Sequence, residues 1–565
     1  MPDANSKPNY AHFEHLTAFL LQSTSFELAD VRLAENRHYY IHLVRVSESY
    51  HRVGIPDQFP IIYPNVAATD KSPSLSDVLE EIFALLDGLV EGGKRLGVLV
   101  PIVIPAIEVR MLLRQRGWQN DFVVFNKDDF HEIGLHGFDK FQKIVSTQLN
   151  LKVLNPYTSL GPVTEEMFFG REKETMYTAE RLSKHSFVYV GGRRIGKTSF
   201  LHHLRIELNK LNKFSPLYIN CEAFVSSQGF YHRVRDFIVD YWVSPTAISQ
   251  KIFINEEAIF SAPNIVDTQN RLDELSNARY QELKNREIAD HEKFSQFIME
   301  ISTFLQGRQL VLLLDEVDRL AREQPEMFVA LRQLHTEGIL RCVFCGERGL
   351  ENASDDANHS LFNFCKVQNP FGFFSPAEAH ELIARPFDQL RISFKSGSKI
   401  VETIMENTAR RPNLVQELCR RLVDDLADRL GDEQPVEKRM ITVADVERVV
   451  SAQAQKPYSE FYVESVWGKC SLLAKAISII FEPEHRVEIK DVVERLRKKD
   501  FRVTRSQCDD ALRWLCLYNL AVRDGRQFHF VHHGFRKILE LHISAEEMLN
   551  YLREEIEEEI SHGTV

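Results

Sequence analysis

A glycine-rich segment in the first half of the chain has the spacing of a phosphate-binding loop. Residues 191–199 read GGRRIGKTS and satisfy the pattern G-x4-G-K-[ST]. Its glycines permit the backbone to curl so that N–H groups point at phosphate oxygens. Lys197 would bridge the β- and γ-phosphates, and the Thr198 hydroxyl would reach Mg²⁺. The predicted nucleotide-binding residues here are Gly191, Gly192, Arg193, Arg194, Ile195, Gly196, Lys197, Thr198 and Ser199.

Two adjacent acids could complete the site with a metal ligand and a general base. They follow the apolar residues LVLLL (310–314) in the segment LVLLLDEVDRL, residues 310–320. Asp315 would hold a Mg²⁺-bound water, and Glu316 is placed to polarise the attacking water as general base. Asp318 and Arg319 are expected to be surface or inter-subunit groups. The predicted catalytic residues are therefore Glu316 and Lys197, the predicted metal-binding residues Thr198 and Asp315, and the predicted cofactors ATP or ADP and Mg²⁺.

These residues must be positioned by strands and helices. Between residues 168 and 374, short apolar runs alternate with helical patterns, which predicts an α/β fold with a parallel sheet covered on both faces. The predicted strands are 187–190, 216–220, 310–314 and 342–345. The polar stretch 230–305 is interpreted as a helical insertion. Cys342 and Cys345 lie inside the last strand, which favours buried thiols over a metal or redox pair.

The remainder of the chain divides into four further regions by pattern. Residues 1–155 predict a small α/β domain, and the Pro- and Gly-containing stretch 154–163 is interpreted as the linker that closes it. Residues 156–374 form the core with its insertion, and 375–455 are helical. Residues 456–545 predict three helices and then a hairpin around Asp524, the order of a winged helix-turn-helix. Residues 546–565 are an acidic tail, helical or frayed.

A third motif connects the chain to a known group of proteins. The segment FFGREKE (168–174) resembles the hhGRExE motif of STAND-type signal-transduction ATPases and the related archaeal ATPases of the AAA+ group. The resemblance continues through GGRRIGKTSFL, LLLDEVDRL, VFCGER (343–348) and TARRPNLVQELCRRLV (408–423), and covers about residues 165–455.

That resemblance implies an ADP/ATP-controlled switch with a helical lid and a winged helix. Gly170 and Arg171 would line the adenine side, and Arg348 falls where a sensor residue is expected. Arg410 and Arg411 stand where the family usually has Gly-Gly-His-Pro, so either could sense the γ-phosphate or both could be surface groups. The implied behaviour is a closed ADP form and self-association with ATP, in response to an unidentified trigger or partner, plausibly in prokaryotic defence or stress response. ATP hydrolysis would be slow and regulatory, and residues 1–155 would be a sensor or effector domain.

Two other functions remain open. The first is a DNA-binding AAA+-like ATPase, because residues 495–505 carry six cations against one acid, Asp500. The third helix opens with Asp509 and Asp510, which instead favours a protein-docking or solvated face. The cations are Arg495, Arg497, Lys498, Lys499, Arg502 and Arg505.

The second alternative is an ATP-gated nuclease effector, since residues 97–133 loosely resemble part of the restriction-endonuclease-like fold. The Glu-x-Lys pattern that such nucleases need does not occur in residues 1–150, which favours a degenerate, nuclease-like sensor or docking domain.

Composition excludes several classes of protein. Hydrophobic content of 44% and charged content of 27% are those of a globular chain. No apolar run approaches the ~20 residues of a membrane span, and the first residues do not resemble a secretory signal, so no membrane partner and a cytoplasmic location are expected. The formal charge is −12, and residues 546–565 hold seven Glu and one Arg, about half of it.

Overall fold

The computed structural model describes residues 10–24, 26–33, 39–46, 58–64, 74–89, 96–101, 105–158, 161–242, 265–305, 307–431, 434–453, 470–481, 486–530 and 544–561. The chain divides into two compact units. Unit 1 comprises Met1–Met167, Pro376–Thr408 and Leu414–Ala452, and unit 2 comprises Phe168–Ser375, Ala409–Asn413 and Gln453–Val565. None of the described helices combines the length and apolar character that crossing a membrane requires.

The first part of unit 1 is a five-stranded mixed sheet with helices. Strands β1, β2 and β3 are antiparallel, and β4 and β5 continue the sheet in parallel, in the order β1-β2-β3-β4-β5. Buried Ile41, Ile62, Ile82 and Leu113 pack with Phe122 in its core. The elements are α1 (Tyr10–Thr24), β1 (Glu27–Leu33), β2 (Tyr39–Arg45), β3 (Gln58–Pro64), α2 (Leu75–Leu89), β4 (Gly97–Leu99), α3 (Ala106–Arg116), β5 (Phe122–Val124), α4 (Lys127–Gln148) and α5 (Leu151–Leu154).

Helix α4 is kinked. It begins at Asn126, whose side chain accepts the Asp129 N–H at 2.9 Å while the Asp129 carboxylate accepts the Asn126 N–H at 2.8 Å. Gly137 interrupts it with φ 63° and ψ −145°, a conformation that favours glycine. The helix therefore consists of two shorter segments that run in different directions.

The predicted linker at 154–163 is anchored where the structure describes it. Tyr157 is buried and its hydroxyl donates to the Ile383 carbonyl at 2.9 Å. The Asn155 amide donates to the Arg420 carbonyl and to Asp424, both at 2.9 Å. These contacts lie within unit 1 and hold residues 154–158 against other parts of that unit, so this part of the predicted linker is anchored.

Unit 2 is built on a parallel sheet with strand order β10-β6-β9-β8-β7. This confirms the prediction of a parallel sheet and adds β10, which is too short and polar to recognise by pattern. Helices α8, α9 and α10 fall in the predicted insertion, of which 243–264 lie outside the described residues. The elements are α6 (Glu172–Arg181), β6 (Ser186–Val190), α7 (Lys197–Lys210), β7 (Phe214–Asn220), α8 (Ser227–Trp242), α9 (Ile265–Asn285), α10 (His291–Ser302), β8 (Gln309–Asp315), α11 (Asp318–Glu323), α12 (Pro325–Thr336), β9 (Leu340–Gly346), α13 (Arg348–Asp355) and β10 (Cys365–Val367).

The predicted lid region is helical, with one short strand pair. Strands β11 and β12 pair in parallel. Its elements are α14 (Pro376–Gln389), β11 (Ser393–Phe394), α15 (Ser398–Thr408), α16 (Pro412–Leu430), β12 (Met440–Ile441) and α17 (Val443–Gln453).

The described residues of 470–530, here called the C-terminal segment, form three helices and a three-stranded antiparallel sheet of order β13-β15-β14. The acidic stretch that follows forms a helix, α21, which packs against α18 and buries Met548, Leu552 and Ile556. The elements are α18 (Leu472–Ile480), β13 (Arg486–Glu488), α19 (Ile489–Arg497), α20 (Arg505–Leu517), β14 (Ala521–Asp524), β15 (Gln527–Phe530) and α21 (Ala545–Ser561).

Candidate functional site

The glycine-rich loop joins buried strand β6 to helix α7 in unit 2. Gly196 has φ 101° at the residue before the helix, a conformation that side-chain-bearing residues rarely adopt. A Cβ on Gly191 would lie 3.2 Å from Phe371 Cβ and 3.0 Å from Ile195 Cγ2, so this position has little room for a side chain. The loop is thus shaped by its glycines, as its motif predicts.

Lys197 is buried at the start of α7, with 4% of its surface exposed. Its ammonium donates to the Gly191 carbonyl at 2.9 Å and the Gly192 carbonyl at 3.2 Å. Its Nζ also lies 3.9 Å from Glu316 Oε1. A buried cation directed into the loop is the arrangement that phosphate binding needs.

Thr198 and Asp315 meet although they are distant in sequence. The Thr198 hydroxyl donates to Asp315 Oδ2 at 2.6 Å, and the Tyr218 hydroxyl donates to the same oxygen at 3.2 Å. Asp315 ends strand β8 and is 1% exposed. The hydroxyl and carboxylate oxygens are ligands that suit Mg²⁺ directly or through water, so these residues fit the predicted metal position.

Tyr218 was not anticipated from the sequence. It lies on β7, whose register places Asn220 beside Asp315 and Tyr218 two residues earlier. Burial and the Asp315 charge raise the pKa of the Tyr218 hydroxyl well above its usual range, so it acts as a neutral donor to Asp315.

Glu316 has an unusual backbone and an unusual acidity. Its φ is 52°, and its N–H donates to Asp315 Oδ1 at 3.1 Å. Burial raises the pKa of the Glu316 carboxyl to about 7, with Lys197 opposing and Asp315 adding to that rise. A carboxyl that titrates near neutrality, held in a strained turn, has the properties of a general base.

Asp318 is not the surface group that its position suggested. Its carboxylate accepts the Glu347 N–H at 2.8 and 2.9 Å and the Leu350 N–H at 2.9 Å, so it joins the end of β8 to the start of α13. The expectation was wrong because the partners, Glu347 and Leu350, follow strand β9 and lie 29 and 32 positions away in sequence. Arg319, in contrast, is exposed and pairs with Glu323 at 2.9 Å.

Arg171 follows Gly170, which has φ 73°, and is buried with 6% exposure. Its guanidinium donates to the Gly372 carbonyl at 2.6 Å and lies 4.8 and 5.1 Å from the ring centroids of Phe371 and Phe374. These contacts connect the hhGRExE segment to the chain after β10. The role of this pair beside adenine stays a prediction.

The three arginines proposed as sensors occupy different environments. Arg348 pairs with Glu351 at 2.5 Å and with Asp510 of the C-terminal segment. Arg411 is fully buried and donates to the Tyr518 carbonyl at 2.7 Å. Arg410 has φ 57°, and its carbonyl accepts the Phe374 N–H at 3.1 Å. Two of these arginines therefore contact the C-terminal segment, and a role in sensing phosphate stays a prediction.

The C-terminal segment reaches the glycine-rich loop at residues 517–519, here called the corner. The Gly192 N–H donates to the Leu517 carbonyl at 3.0 Å, and a Cβ on Gly192 would lie 2.9 Å from the Tyr518 ring. Two further hydrogen bonds hold the corner in place. The Tyr518 hydroxyl donates to the Glu347 carboxylate at 3.0 Å. The Asn519 amide also donates to the Phe371 carbonyl at 3.3 Å.

Sequence reasoning missed the corner because its residues carry no motif and lie about 320 positions from the loop. Tyr518 is fully buried, and burial together with the Glu347 charge raises the pKa of its hydroxyl. A loop N–H that is a candidate phosphate donor is thus already engaged by the protein's own chain.

The six cations of residues 495–505 are all exposed. Three of them have internal contacts: Arg495 lies 5.1 Å from the Phe481 ring centroid, Arg497 donates to the Val503 carbonyl at 3.2 Å, and Lys498 pairs with Glu494 at 2.7 Å. An open cavity of about 560 Å³ lies among Arg497, Lys498 and Arg505. Helix α20, in contrast, directs Asp510 and Arg513 to Arg348 and Asp355 of the core.

The region proposed as nuclease-like presents no carboxylate cluster among the residues described there. On β2 and β3, His42 and Tyr63 are buried and share the hydroxyl of Thr17, which lies 2.6 Å from Tyr63 Oη. Burial lowers the pKa of His42, so this network is neutral. Within the described part of the chain, no group of three His, Cys, Asp or Glu residues could hold a metal ion.

Cys342 and Cys345 are free and fully buried on β9, which confirms the prediction of buried thiols. Burial raises the pKa of both thiols, so neither is a reactive thiolate.

Comparison with known proteins finds similarity only among solved structures; no protein-family model and no curated protein matches the chain. A Walker-type ATPase of Pyrococcus abyssi is 16% identical, with a TM-score of 0.43, over 67% of this chain and 99% of that one. The ORC1 protein of Aeropyrum pernix, solved in complex with DNA, is 13% identical with a TM-score of 0.33, over 67% and 94%. A RuvB variant of Thermotoga maritima is 14% identical with a TM-score of 0.33, over 68% and 100%.

Proposed function

We propose that this protein is an ATP-binding and ATP-hydrolysing switch of the P-loop class, related to the AAA+ and STAND ATPases. The observation that supports this most directly is the meeting of two sequence motifs at one place. Thr198 Oγ1 lies 2.6 Å from Asp315 Oδ2, and Lys197 Nζ lies 3.9 Å from Glu316 Oε1. Separate motifs that agree in space define one chemical site rather than two coincidental patterns.

The residues of this site have complementary roles under the proposal. MgATP, when bound, supplies a γ-phosphoryl group that water can attack. Lys197 would exchange its carbonyl partners for phosphate oxygens, and Thr198 with Asp315 would hold Mg²⁺ and its water. Glu316 would accept the proton of the attacking water, for which a pKa of about 7 is well matched.

The switch would operate through the C-terminal segment, which we propose is a winged helix. Its corner engages the Gly192 N–H through Leu517 and is held by Tyr518 on Glu347. We interpret this arrangement as the closed state, in which the corner restrains the phosphate loop. Opening would free Gly192 for a phosphate and would uncover the face of α20 that now contacts the core.

Removing the Tyr518 hydroxyl should loosen the corner. In Tyr518→Phe the ring stays but the bond to Glu347 is lost, so the corner should open more often and the apparent Kd for a fluorescent ADP should fall roughly tenfold. Equilibrium titration measures this Kd. The matched control is Tyr551→Phe, since Tyr551 is exposed on α21 and donates to Glu555. Equal Kd values in wild type and Tyr518→Phe would contradict a restraining corner.

A second function, DNA binding, is favoured by the exposed cations of residues 495–505. The face of α20 that contacts the core is unavailable in the closed state, so DNA should bind more tightly when a non-hydrolysable ATP analogue is present. Replacing Arg497, Lys498 and Lys499 together by glutamine should reduce the slope of log affinity against log salt by about three. Mobility-shift assays on duplex DNA across a salt series provide the measurement.

The control for this experiment replaces Arg319 and Arg322, which are exposed on α11. Deleting the acidic tail is a poorer probe, because α21 buries Met548, Leu552 and Ile556 and its removal would uncover apolar surface. Absence of DNA binding at low salt with the ATP analogue would assign these cations to protein docking or to solvation.

A further inference from the structure

A polar cavity of about 400 Å³ lies in unit 1 beside the edge strand β5. It is bounded by helix α3, strand β5 and both ends of helix α4. Its apolar surface comes from the buried side chains of Leu113, Phe122 and Ile144. The volume lies within the range of roughly 300–1,000 Å³ that small-molecule sites occupy. None of its residues belongs to the nucleotide site.

The kink at Gly137 makes this cavity possible. A straight helix of the 22 residues of α4 would separate its ends by about 33 Å. Asn126 and Asp129 at its start nevertheless line the same cavity as Thr147 and Gln148 at its end. The positive φ of Gly137 is therefore what turns the helix back and closes the cavity.

The walls are held in place by hydrogen bonds. The Gln148 side chain pairs with the free edge of β5 as a neighbouring strand would: its amide donates to the Val124 carbonyl at 3.0 Å and its oxygen accepts the Val124 N–H at 2.9 Å. Arg110 donates through Nη2 to the same carbonyl at 2.8 Å. Asp129 is fixed by its reciprocal bonds with Asn126. A preorganised wall loses little entropy when a ligand binds.

Two polar atoms on residues that line this cavity have no hydrogen-bond partner among the described residues. One is a donor, Arg110 Nε, and the other an acceptor, Gln119 Oε1. Both atoms are themselves buried, so a ligand reaches them only when these side chains turn towards the cavity. Buried groups left unsatisfied destabilise a protein, which favours a ligand that offers both an acceptor and a donor.

The residues that line the cavity carry charges of both signs. Arg110 and Arg114 lie one helical turn apart on α3, and no described carboxylate lies within ion-pair distance of either. Asp129, at the start of α4, lines the cavity from another wall. A purely anionic ligand would meet Asp129, and a purely cationic ligand would meet two arginines, so each is disfavoured.

We propose that this cavity binds a small zwitterion of the α-amino-acid class. Arg110, supported by Arg114, receives the carboxylate, and the Asp129 carboxylate with Gln119 Oε1 receives the ammonium. The apolar floor of Leu113, Phe122 and Ile144 receives the side chain of the ligand. This inference does not depend on nucleotide binding, and it assigns a ligand-binding role to the first domain of the chain.

The test uses the full chain and the twenty standard L-amino acids singly, first by thermal shift and then by calorimetry. At least one should bind with Kd below about 1 mM. Its analogue without the amino group and its analogue without the carboxylate should each bind at least about tenfold more weakly, because each leaves one wall unpaired. Failure of all twenty to bind would overturn the proposal.

Two variants locate the site. Arg110→Met and Asp129→Asn should each lower affinity about tenfold or more. Asn at 129 can still accept the Asn126 N–H, so that variant removes the charge and keeps the helix cap. The controls are Arg116→Met and Asp128→Asn, neighbours that are exposed and outside the cavity. If inorganic phosphate or the analogue without the amino group binds as tightly as the amino acid, or if Asp129→Asn binds normally, the zwitterion assignment is wrong.

Discussion

Replacing Glu316 by glutamine is expected to lower kcat for ATP hydrolysis by roughly 100-fold or more, while ATP affinity stays within about threefold of wild type. Glutamine keeps the shape of the side chain but cannot accept a proton. The carboxyl it replaces has a pKa raised by burial to about 7, which is the property of a base that works at neutral pH. Phosphate release measures kcat, and equilibrium binding of a fluorescent ATP analogue measures affinity.

The pH dependence gives this prediction a second readout. A raised pKa means that Glu316 is protonated and inactive as a base below about pH 7 and ionised above it. In wild type, kcat/KM should therefore fall about tenfold per pH unit below 7 and level off above it, since kcat/KM reports the free enzyme. Glu316→Gln should lose that dependence. The matched control is Glu323→Gln on α11, whose carboxylate is exposed to solvent and pairs with Arg319.

A Glu316→Gln enzyme that hydrolyses ATP at the wild-type rate would show that another group positions the catalytic water. If kcat/KM of the wild-type enzyme does not change between pH 6 and 8, a group other than Glu316 accepts the proton.

Replacing Lys197 by alanine is expected to weaken ATP and ADP binding by at least about 100-fold, because a buried cation that can meet two phosphate groups is removed. Lys197 is 4% exposed and directed into the loop, so no neighbouring lysine replaces it easily. Calorimetry with each nucleotide measures the loss. The control is Lys210→Ala, at the opposite end of the same helix, where the ammonium is exposed and pairs with Glu207.

Since Lys197 also bonds the Gly191 and Gly192 carbonyls, a thermal melt should accompany each titration. A folded Lys197→Ala protein with wild-type ATP affinity would overturn the assignment of the nucleotide site.

The core of unit 2 could be predicted from sequence because parallel strands buried on both faces are almost continuously apolar. Strands β6, β7, β8 and β9 have this character, whereas β10 has only three residues and includes Lys366. The phosphate loop and the acidic pair could also be predicted from sequence, because their chemistry requires particular residues at fixed spacing.

The remaining parts of the site depend on contacts between distant segments. Asp318 looks like a surface acid until the N–H groups of Glu347 and Leu350, which follow β9, reach its carboxylate. Tyr218 becomes part of the site only through the register of β7 with β8. The corner shows the limit most clearly, because Tyr518 follows an ordinary amphipathic helix and carries no local pattern. Local propensity does not encode such pairings, and they emerge from tertiary packing alone.

The bond between Gly192 N–H and the Leu517 carbonyl also has a thermodynamic consequence. If the phosphate and the corner compete for this donor, the apparent Kd for nucleotide equals the intrinsic Kd divided by the fraction of molecules whose corner is open. With one molecule in a hundred open, the apparent affinity would be about a hundredfold weaker than the loop itself allows. Linkage makes this effect reciprocal. A partner that binds and holds the corner away from Gly192 raises nucleotide affinity by some factor, and bound nucleotide raises the affinity of that partner by the same factor.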